Sequence, residues 1–462
     1  MSPSTTWKTW RLLATTIGAL AFSFGGAIAT PYLVVDAESG QALIENQSTM
    51  PWFPASVTKL MTTYVALSAV RDGKLTMDTP LTMSLRASRM APSKMGFRPG
   101  TEVTLDNALK MLMVKSPNDV AVMVAEGISG SVEAFADEMN AAAQRLGLKE
   151  SHFVNPNGLH DPNHYSSARD MAIIGRALLK EFPDHAHLFD IGAIQLGRQI
   201  IPNHNGLLGR YPGADGMKTG FTCPAGFNVV ASATRNGRRL IVVVMGAPSP
   251  RQRNLEASEL FDRGFAESGG GVPLETLPTS SIAAPPDMRA EICSRRNRLA
   301  VVAAMAEEER IFTAGGAAAV GAAPTPFITM GRGGTVPAAV PPAVAAPAPT
   351  APPATALALL TERVHFEPIP VFVGPKPGWT GPVLAARRTV DTPAEATAFT
   401  GEKSGPYEAT AEPSAPAALQ GAVHIPTRAR ARIGHPITTT IAREHRLAAI
   451  AARRSPKKRS VN

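Results

Sequence analysis

The sequence predicts a mixed α/β (α+β) domain in which one sheet is assembled from the two ends of a segment, with helices between them. Three observations carry this. Strand-like runs open the segment at Tyr32 to Asp36 and Gln41 to Glu45, with the turn residues Glu38-Ser39-Gly40 between them. Helical periodicity then dominates from Ser56 to Leu179. Strand patterns return at Asp215 to Phe221, Asn228 to Ala233 and Leu240 to Met245. Strands that flank a helical block are most simply joined in one sheet.

Each element has a local reason. Lys8 and Arg11 precede an apolar run from Leu12 to Phe24, and Ala27-Ile28-Ala29 follows with small residues at alternate positions. Residues 1–29 therefore read as an export signal with a mature start at Thr30. The rival reading is an uncleaved anchor, but the apolar run is short for a membrane span. A helix is expected from Ser56 through Val70. Further helical patterns cover Leu105 to Met113, Asp119 to Glu126, Val132 to Leu146 and Ala168 to Leu179. Asn236-Gly237 predicts a tight hairpin between the last two strands. A final helix is expected over Arg251 to Phe265.

The composition changes near Gly270. Residues 337–353 hold seven Pro and seven Ala, which favours extended, solvated chain over a packed core. Residues 267–427 read as an Ala/Pro-rich, disordered linker, interrupted by a more apolar island from Val364 to Trp379. This island has the character of a short docking segment or of a less polar stretch of linker. Residues 428–462 form a basic tail, with ten Lys or Arg against the single acidic Glu444. That tail carries the chain's whole net charge of +9, so the folded part is near neutral. The tail reads first as a solvated, disordered end; the partner its charge would suit is membrane or an anionic polymer through a weak contact, and nucleic acid is not expected. Cys223 and Cys293 are the only cysteines, which excludes a disulfide framework and a cysteine zinc cluster. The sequence leaves their pairing open.

The chemistry sits in an ordered set of motifs. Ser56-Val57-Thr58-Lys59 places a hydroxyl and an amine on one face of a helix start. A serine needs a base to become a nucleophile, and a lysine whose pKa is depressed by burial can serve. Alone the pattern is cheap, because Ser455-Pro456-Lys457-Lys458 repeats it in the tail. Ser116-Pro117-Asn118 and then Lys218-Thr219-Gly220 follow the first pair in order, and the tail copy lacks this third element. The close His pairs, His160 with His164 and His185 with His187, lack a His-Glu-x-x-His pattern, so no metal and no cofactor is expected.

Residues from about Pro31 to Phe265 resemble the low-molecular-mass penicillin-binding proteins, the serine D-Ala-D-Ala carboxypeptidases of peptidase family S11. The matching stretches are Phe53-Pro54-Ala55 before the nucleophile, Leu112 to Ala121, Gly158 to Ala172, and Gly213 to Thr222. The resemblance implies a β-lactamase/transpeptidase-like fold, with an antiparallel sheet flanked by helices over residues 30–266. It implies Ser56, Lys59 and Ser116 as catalytic residues. Asn118, Lys218, Thr219, Gly220, Phe221 and Thr222 would bind substrate, with the main-chain N–H groups of Ser56 and Phe221 as the oxyanion hole. Arg169 and Asp170 read as structural. Peptidoglycan pentapeptide stems are the implied substrate, β-lactams the implied covalent inhibitors, and the periplasm or cell envelope the implied location. A D,D-endopeptidase and a non-catalytic wall-binding scaffold are the alternatives. A class A β-lactamase needs a Glu-positioned deacylating water, and this sequence offers no matching Glu motif between Ser116 and Lys218. The resemblance ends near residue 266. A helix over Ile441 to Arg454 has a poor amphipathic pattern, which argues against membrane attachment by that route.

Overall fold

A computed structural model describes residues 30–294, 297, 299–304 and 364–387. The expected export signal and the basic tail lie outside the described residues. The expected sheet is present, with six antiparallel strands in the order β10-β2-β1-β9-β8-β7. These are β1 (Tyr32–Asp36), β2 (Gln41–Asn46), β7 (Ala214–Thr222), β8 (Gly226–Arg235), β9 (Arg238–Ala247) and β10 (Val272–Pro273). β1 lies between β2 and β9, so the first strand of the domain pairs with one near its end, Leu33 opposite Val243 and Val35 opposite Ile241. The β8–β9 turn uses Asn236 and Gly237, both at positive φ, as the Asn-Gly pair predicts.

Both faces of the sheet are covered. Residues 240–247 of β9 are all buried, which accounts for their unbroken apolar run. On one face lies α6 (Ala168–Glu181), where Gly175 sits over Met217 and Val230. On the other lies α7 (Pro250–Ala266), where Gly264 sits against Val34 and Leu240. In both cases a missing side chain lets the helix approach the strands. Each fully buried Val, Leu or Ile in these layers contributes about 1.5–3 kcal/mol.

The helical lobe follows its caps. It comprises α1 (Lys59–Arg71), α2 (Leu85–Ser88), α3 (Leu105–Val114), α4 (Asn118–Ser129) and α5 (Val132–Arg145). Thr104, Ser131 and Ser167 accept from the backbone N–H three residues on, at the starts of α3, α5 and α6. Two small sheets complete the lobe: β3 (Pro80–Thr82) with β4 (Glu102–Thr104), and β5 (Ala193–Leu196) with β6 (Gln199–Pro202). The sequence reading missed these strands, whose three or four residues are too few to show a period.

The first predicted helix also differs from expectation. A 3₁₀ turn spans Ala55–Thr58, and the α-helix begins only at Lys59. Ser56 is therefore held in the tighter turn, with Ala55 before it at positive φ.

The folded part does not stop at residue 266, as the linker assignment had it. β10 pairs with β2 and covers its open edge. Leu274, Leu277, Met288 and Ile292 are buried. Cys293 forms a disulfide with Cys223, one residue past the end of β7, with Cα atoms 5.6 Å apart. Residues 364–387 also pack on the lobe through a further strand, β11 (Ile369–Val371), parallel to β5. Ala/Pro composition hides such short pairings, because they depend on partners far away in sequence.

The disulfide closes a loop of 70 residues. Cys293→Ser should therefore lower the unfolding free energy by about 2–4 kcal/mol. Urea titrations of oxidised wild type and variant check this, and superimposable curves would contradict it.

Candidate active site

The site forms where α1, α4 and β7 meet. Lys59 is fully buried on the first turn of α1. Its Nζ lies 2.9 Å from Ser56 Oγ, 2.9 Å from Asn118 Oδ1 and 2.7 Å from the Asn157 carbonyl; in the neutral amine two N–H groups serve the Asn118 and Asn157 oxygens and the lone pair faces the Ser56 hydroxyl. Burial pushes its pKa well below the ordinary lysine value, the nearby Lys218 adds to the fall, and Asp119 opposes it. A neutral amine beside a half-buried serine hydroxyl is a general base in place.

Lys218 lies on β7, also buried, with Nζ donating to the Thr219 carbonyl at 2.8 Å. Burial first, and the positive charge of Arg253 second, lower its pKa to about 7. The Lys218 charge in turn discourages charge on Lys59.

Gly220 explains why this part of β7 needs glycine. A Cβ there would lie 2.7 Å from the Ser56 backbone nitrogen and 2.9 Å from that of Val57. The strand passes so close that its backbone and that of Ser56 share one wall. Phe221 follows and stacks on Phe227 with ring centroids 4.1 Å apart, so its side chain is committed to packing.

Ser116 sits in the turn between α3 and α4 at φ 59°. A non-glycine residue in this region costs about 1–2 kcal/mol. Its hydroxyl is buried without a hydrogen bond, and so is that of Thr222. An unpaired buried hydroxyl costs about 1–3 kcal/mol, which a ligand can recover. Asn118 is fixed from outside the lobe's helices: its Nδ2 donates to the carbonyls of Ala91 and Pro92, and its N–H to that of Ser93. Asp119 accepts from the N–H groups of Met95 and Gly96 at 3.0 and 2.8 Å.

Several positioning groups escaped the sequence reading. The Asn157 contact is a main-chain carbonyl, which no side-chain pattern reveals. It is aimed by Asn155, whose Oδ1 accepts from Gly158 N–H, and by Thr62 Oγ1, which donates to the Pro156 carbonyl. Gly158, at positive φ, lies directly against Ala55. Asn228 Nδ2 donates to the carbonyls of Phe53 and Pro54 and ties the segment before Ser56 to β8. Its one signal in the sequence is a lone Asn in an apolar strand. His164 is buried and neutral, with a pKa lowered to about 3 chiefly by burial. Its Nδ1 accepts from Val154 N–H, so Nε2 bears the proton and donates to Thr58 Oγ1 at 2.9 Å. Arg169 and Asp170 form a buried cluster with Glu150 that anchors the start of α6 beneath this loop.

The structure thus joins Ser56, Lys59 and Asn118 by direct contact, sets Gly220 against Ser56, and brings the Lys218 charge to bear on Lys59. The sequence model of the D-alanyl-D-alanine carboxypeptidases matches residues 25–249. The D-alanyl-D-alanine carboxypeptidase DacB2 of Mycobacterium tuberculosis is 32% identical over 250 residues, covering 52% of this chain and 82% of that protein. The chain belongs to the D-alanyl-D-alanine carboxypeptidase family. DacA of Haemophilus influenzae is 41% identical over 243 residues, 52% of this chain and 62% of that one. The chain thus spans about three-fifths of the length of that relative. The crystal structure of penicillin binding protein 5 from Haemophilus influenzae shares the fold, with a TM-score of 0.50 and 40% identity over 52% of this chain and 71% of that one.

Two outcomes follow for this family member. Gly220→Ala should leave a folded protein whose acylation by labelled penicillin is at least about 100-fold slower, since displacing the reacting groups by about 1 Å costs that much. Unchanged acylation would show that β7 can withdraw from Ser56. The acylation rate should rise with pH as Lys59 loses its proton, and level off well below the usual lysine pKa of about 10.4. A rate still climbing at that pH would mean that Lys59 is not the depressed base. Stability carries the same sign: from the Lys218 value near 7 up to the ordinary lysine range, the unfolded chain binds more protons, so unfolding free energy rises with pH there.

Proposed function

We propose that the protein is a serine D-Ala-D-Ala carboxypeptidase that removes the terminal D-alanine from peptidoglycan pentapeptide stems. The observation that carries the reading is the contact between Lys59 Nζ and Ser56 Oγ at 2.9 Å, with the lysine buried and biased to neutrality. Lys59 takes the Ser56 proton as Oγ attacks the carbonyl between the two D-alanines. The N–H groups of Ser56 and Phe221 hold the resulting oxyanion. Ser116, with Lys218 behind it, passes a proton to the departing amine as the carbon–nitrogen bond breaks. Asn118 holds the substrate amide, and Thr219 and Thr222 offer hydroxyls to its terminal carboxylate beside Lys218. Water then attacks the Ser56 ester and frees the shortened stem. A β-lactam enters the same path and acylates Ser56.

The buried hydroxyls of Ser116 and Thr222 support this assignment, since each lacks the partner that substrate would bring. The disulfide supports action outside the cytoplasm, in the periplasm or cell envelope.

Purified protein given a pentapeptide ending in D-Ala-D-Ala should release free D-alanine, and Ser56→Ala should abolish both release and labelling by penicillin. Lys59→Arg replaces the neutral amine with a permanent cation and loses the base, so acylation should fall about 10²–10⁴-fold. A properly folded wild type that releases no D-alanine would favour a binding scaffold. Label that persists in Ser56→Ala would move the nucleophile elsewhere.

A further inference from the structure

Residues 364–387 lie against the catalytic lobe at a place with mechanical significance. β3 ends at Thr82 and β4 begins at Glu102, and the chain between them is one long excursion. That excursion supplies every backbone group that fixes Asn118 and Asp119 from outside: the carbonyls of Ala91, Pro92 and Ser93, and the N–H groups of Met95 and Gly96. Its root is a ladder of two three-residue strands, a length at which isolated pairing is marginal.

The later segment grips this root from both sides. Gly374 N–H donates to the Glu102 carbonyl at 2.6 Å, on the β4 edge. Leu384 N–H donates to the Pro80 carbonyl at 2.9 Å, and the Leu384 carbonyl accepts from Thr82 N–H at 2.8 Å, on the β3 edge. The two residues that bound the excursion, Thr82 and Glu102, are therefore both held by this one segment. Lys376 pairs with Asp78 just before β3. Further along, β11 extends the β5–β6 sheet, Val371 is 3% exposed, and Phe366 lies over Gly192. Arg387 N–H closes the run on the Gly130 carbonyl at 2.8 Å. Residues 96–98 and 371–373 face each other across a groove completed by Leu196 and Gly197.

We propose that residues 364–387 are an intrachain strap that clamps the root of the 83–101 excursion and thereby positions Asn118 against Lys59 for acylation. The strap joins the domain after the Ala/Pro-rich stretch at 337–353, so it docks as a tethered ligand whose connecting chain holds it at high effective concentration. Its anchors are backbone pairing, the Lys376–Asp78 ion pair and apolar contacts that include Val371 and Phe366. Undocking returns the root to an unsupported two-stranded ladder. Acylation then slows because Asn118 is less well fixed, while the six-stranded sheet is untouched. Strap residues in this account are positioning residues and touch no reacting atom.

The strap's effect on rate rests on the Ser56 reading above, but its effect on the loop does not, and the experiment separates the two. Full-length wild type, Val371→Asp and Gly192→Ala are compared by hydrogen exchange and by penicillin acylation. Gly192→Ala attacks the interface from the domain side, because a Cβ there would fall 2.0 Å from the Phe366 ring. In wild type the amides of Gly374, Leu384 and Arg387 should be protected. In both variants they should exchange faster, the amides of Met95 and Gly96 should follow, and β8 and β9 should stay protected. Acylation should fall about tenfold or more, within the cost of a 1 Å misplacement. A synthetic peptide of residues 364–387 should restore it to Val371→Asp in a dose-dependent way. The proposal is overturned if the strap amides are unprotected in wild type. It is equally overturned if Met95 and Gly96 keep their protection in the variants while the strap amides lose theirs. If Val371→Asp also loosens β8 and β9, Gly192→Ala decides by the same readouts.

Discussion

Everything around the cleft serves the burial of one amine. A charged lysine cannot be placed in the interior without a paired anion, so Lys59 is tolerated there because it is biased to neutrality and all its polar capacity is met: two oxygens for its N–H groups and the Ser56 hydroxyl for its lone pair. Those partners come from three separate parts of the fold: the 3₁₀ turn at Ser56, the first residue of α4 and the loop at Asn157. The helical lobe and the sheet must both be in place before the amine is satisfied. Folding and the preparation of a base are in that sense one event.

The closeness of these parts has a cost that other contacts offset. Ala55 and Ser116 adopt positive φ without being glycine, and such strain persists only where the surroundings over-determine it. Asn228, His164 and Gly158 supply that determination around Ser56: one ties the preceding segment to β8, one holds Thr58, and one lets the 155–158 loop lie flat on Ala55. The excursion around residues 91–96 does the same for the turn at Ser116 and Asn118. Function-bearing strain and its support are thus found in different segments of the chain.

That division explains what could be read from the sequence. The long elements were legible, since α3 to α6 carry helical periodicity and caps, and β7 to β9 carry strand patterns and an Asn-Gly turn. Ser56, Lys59, Ser116, Asn118 and Lys218 were legible as side chains in a fixed order, with a copy near Ser455 to warn against matching the first pair alone. The Asn157 carbonyl was not legible, because a main-chain group leaves no residue-type signal. Neither were β3, β4 and β11, whose three residues each acquire meaning only from distant partners. The apolar island beginning at Val364 stood out by composition, yet nothing local to it names β5 as its neighbour. The pairing of Cys223 with Cys293 likewise needed the third dimension.

That disulfide sets the practical limits of the catalytic unit. A fragment cut at Ala266, where α7 ends, would keep Cys223 and discard its partner. The freed thiol would sit next to Thr222, at the end of the strand that borders Ser56. Such a fragment would also bare the outer edge of β2, which β10 otherwise occupies. An oxidisable sulfur beside the cleft and an unpaired strand edge are two routes to covalent dimers and aggregates. The boundary that conserves the folded unit therefore lies beyond Cys293.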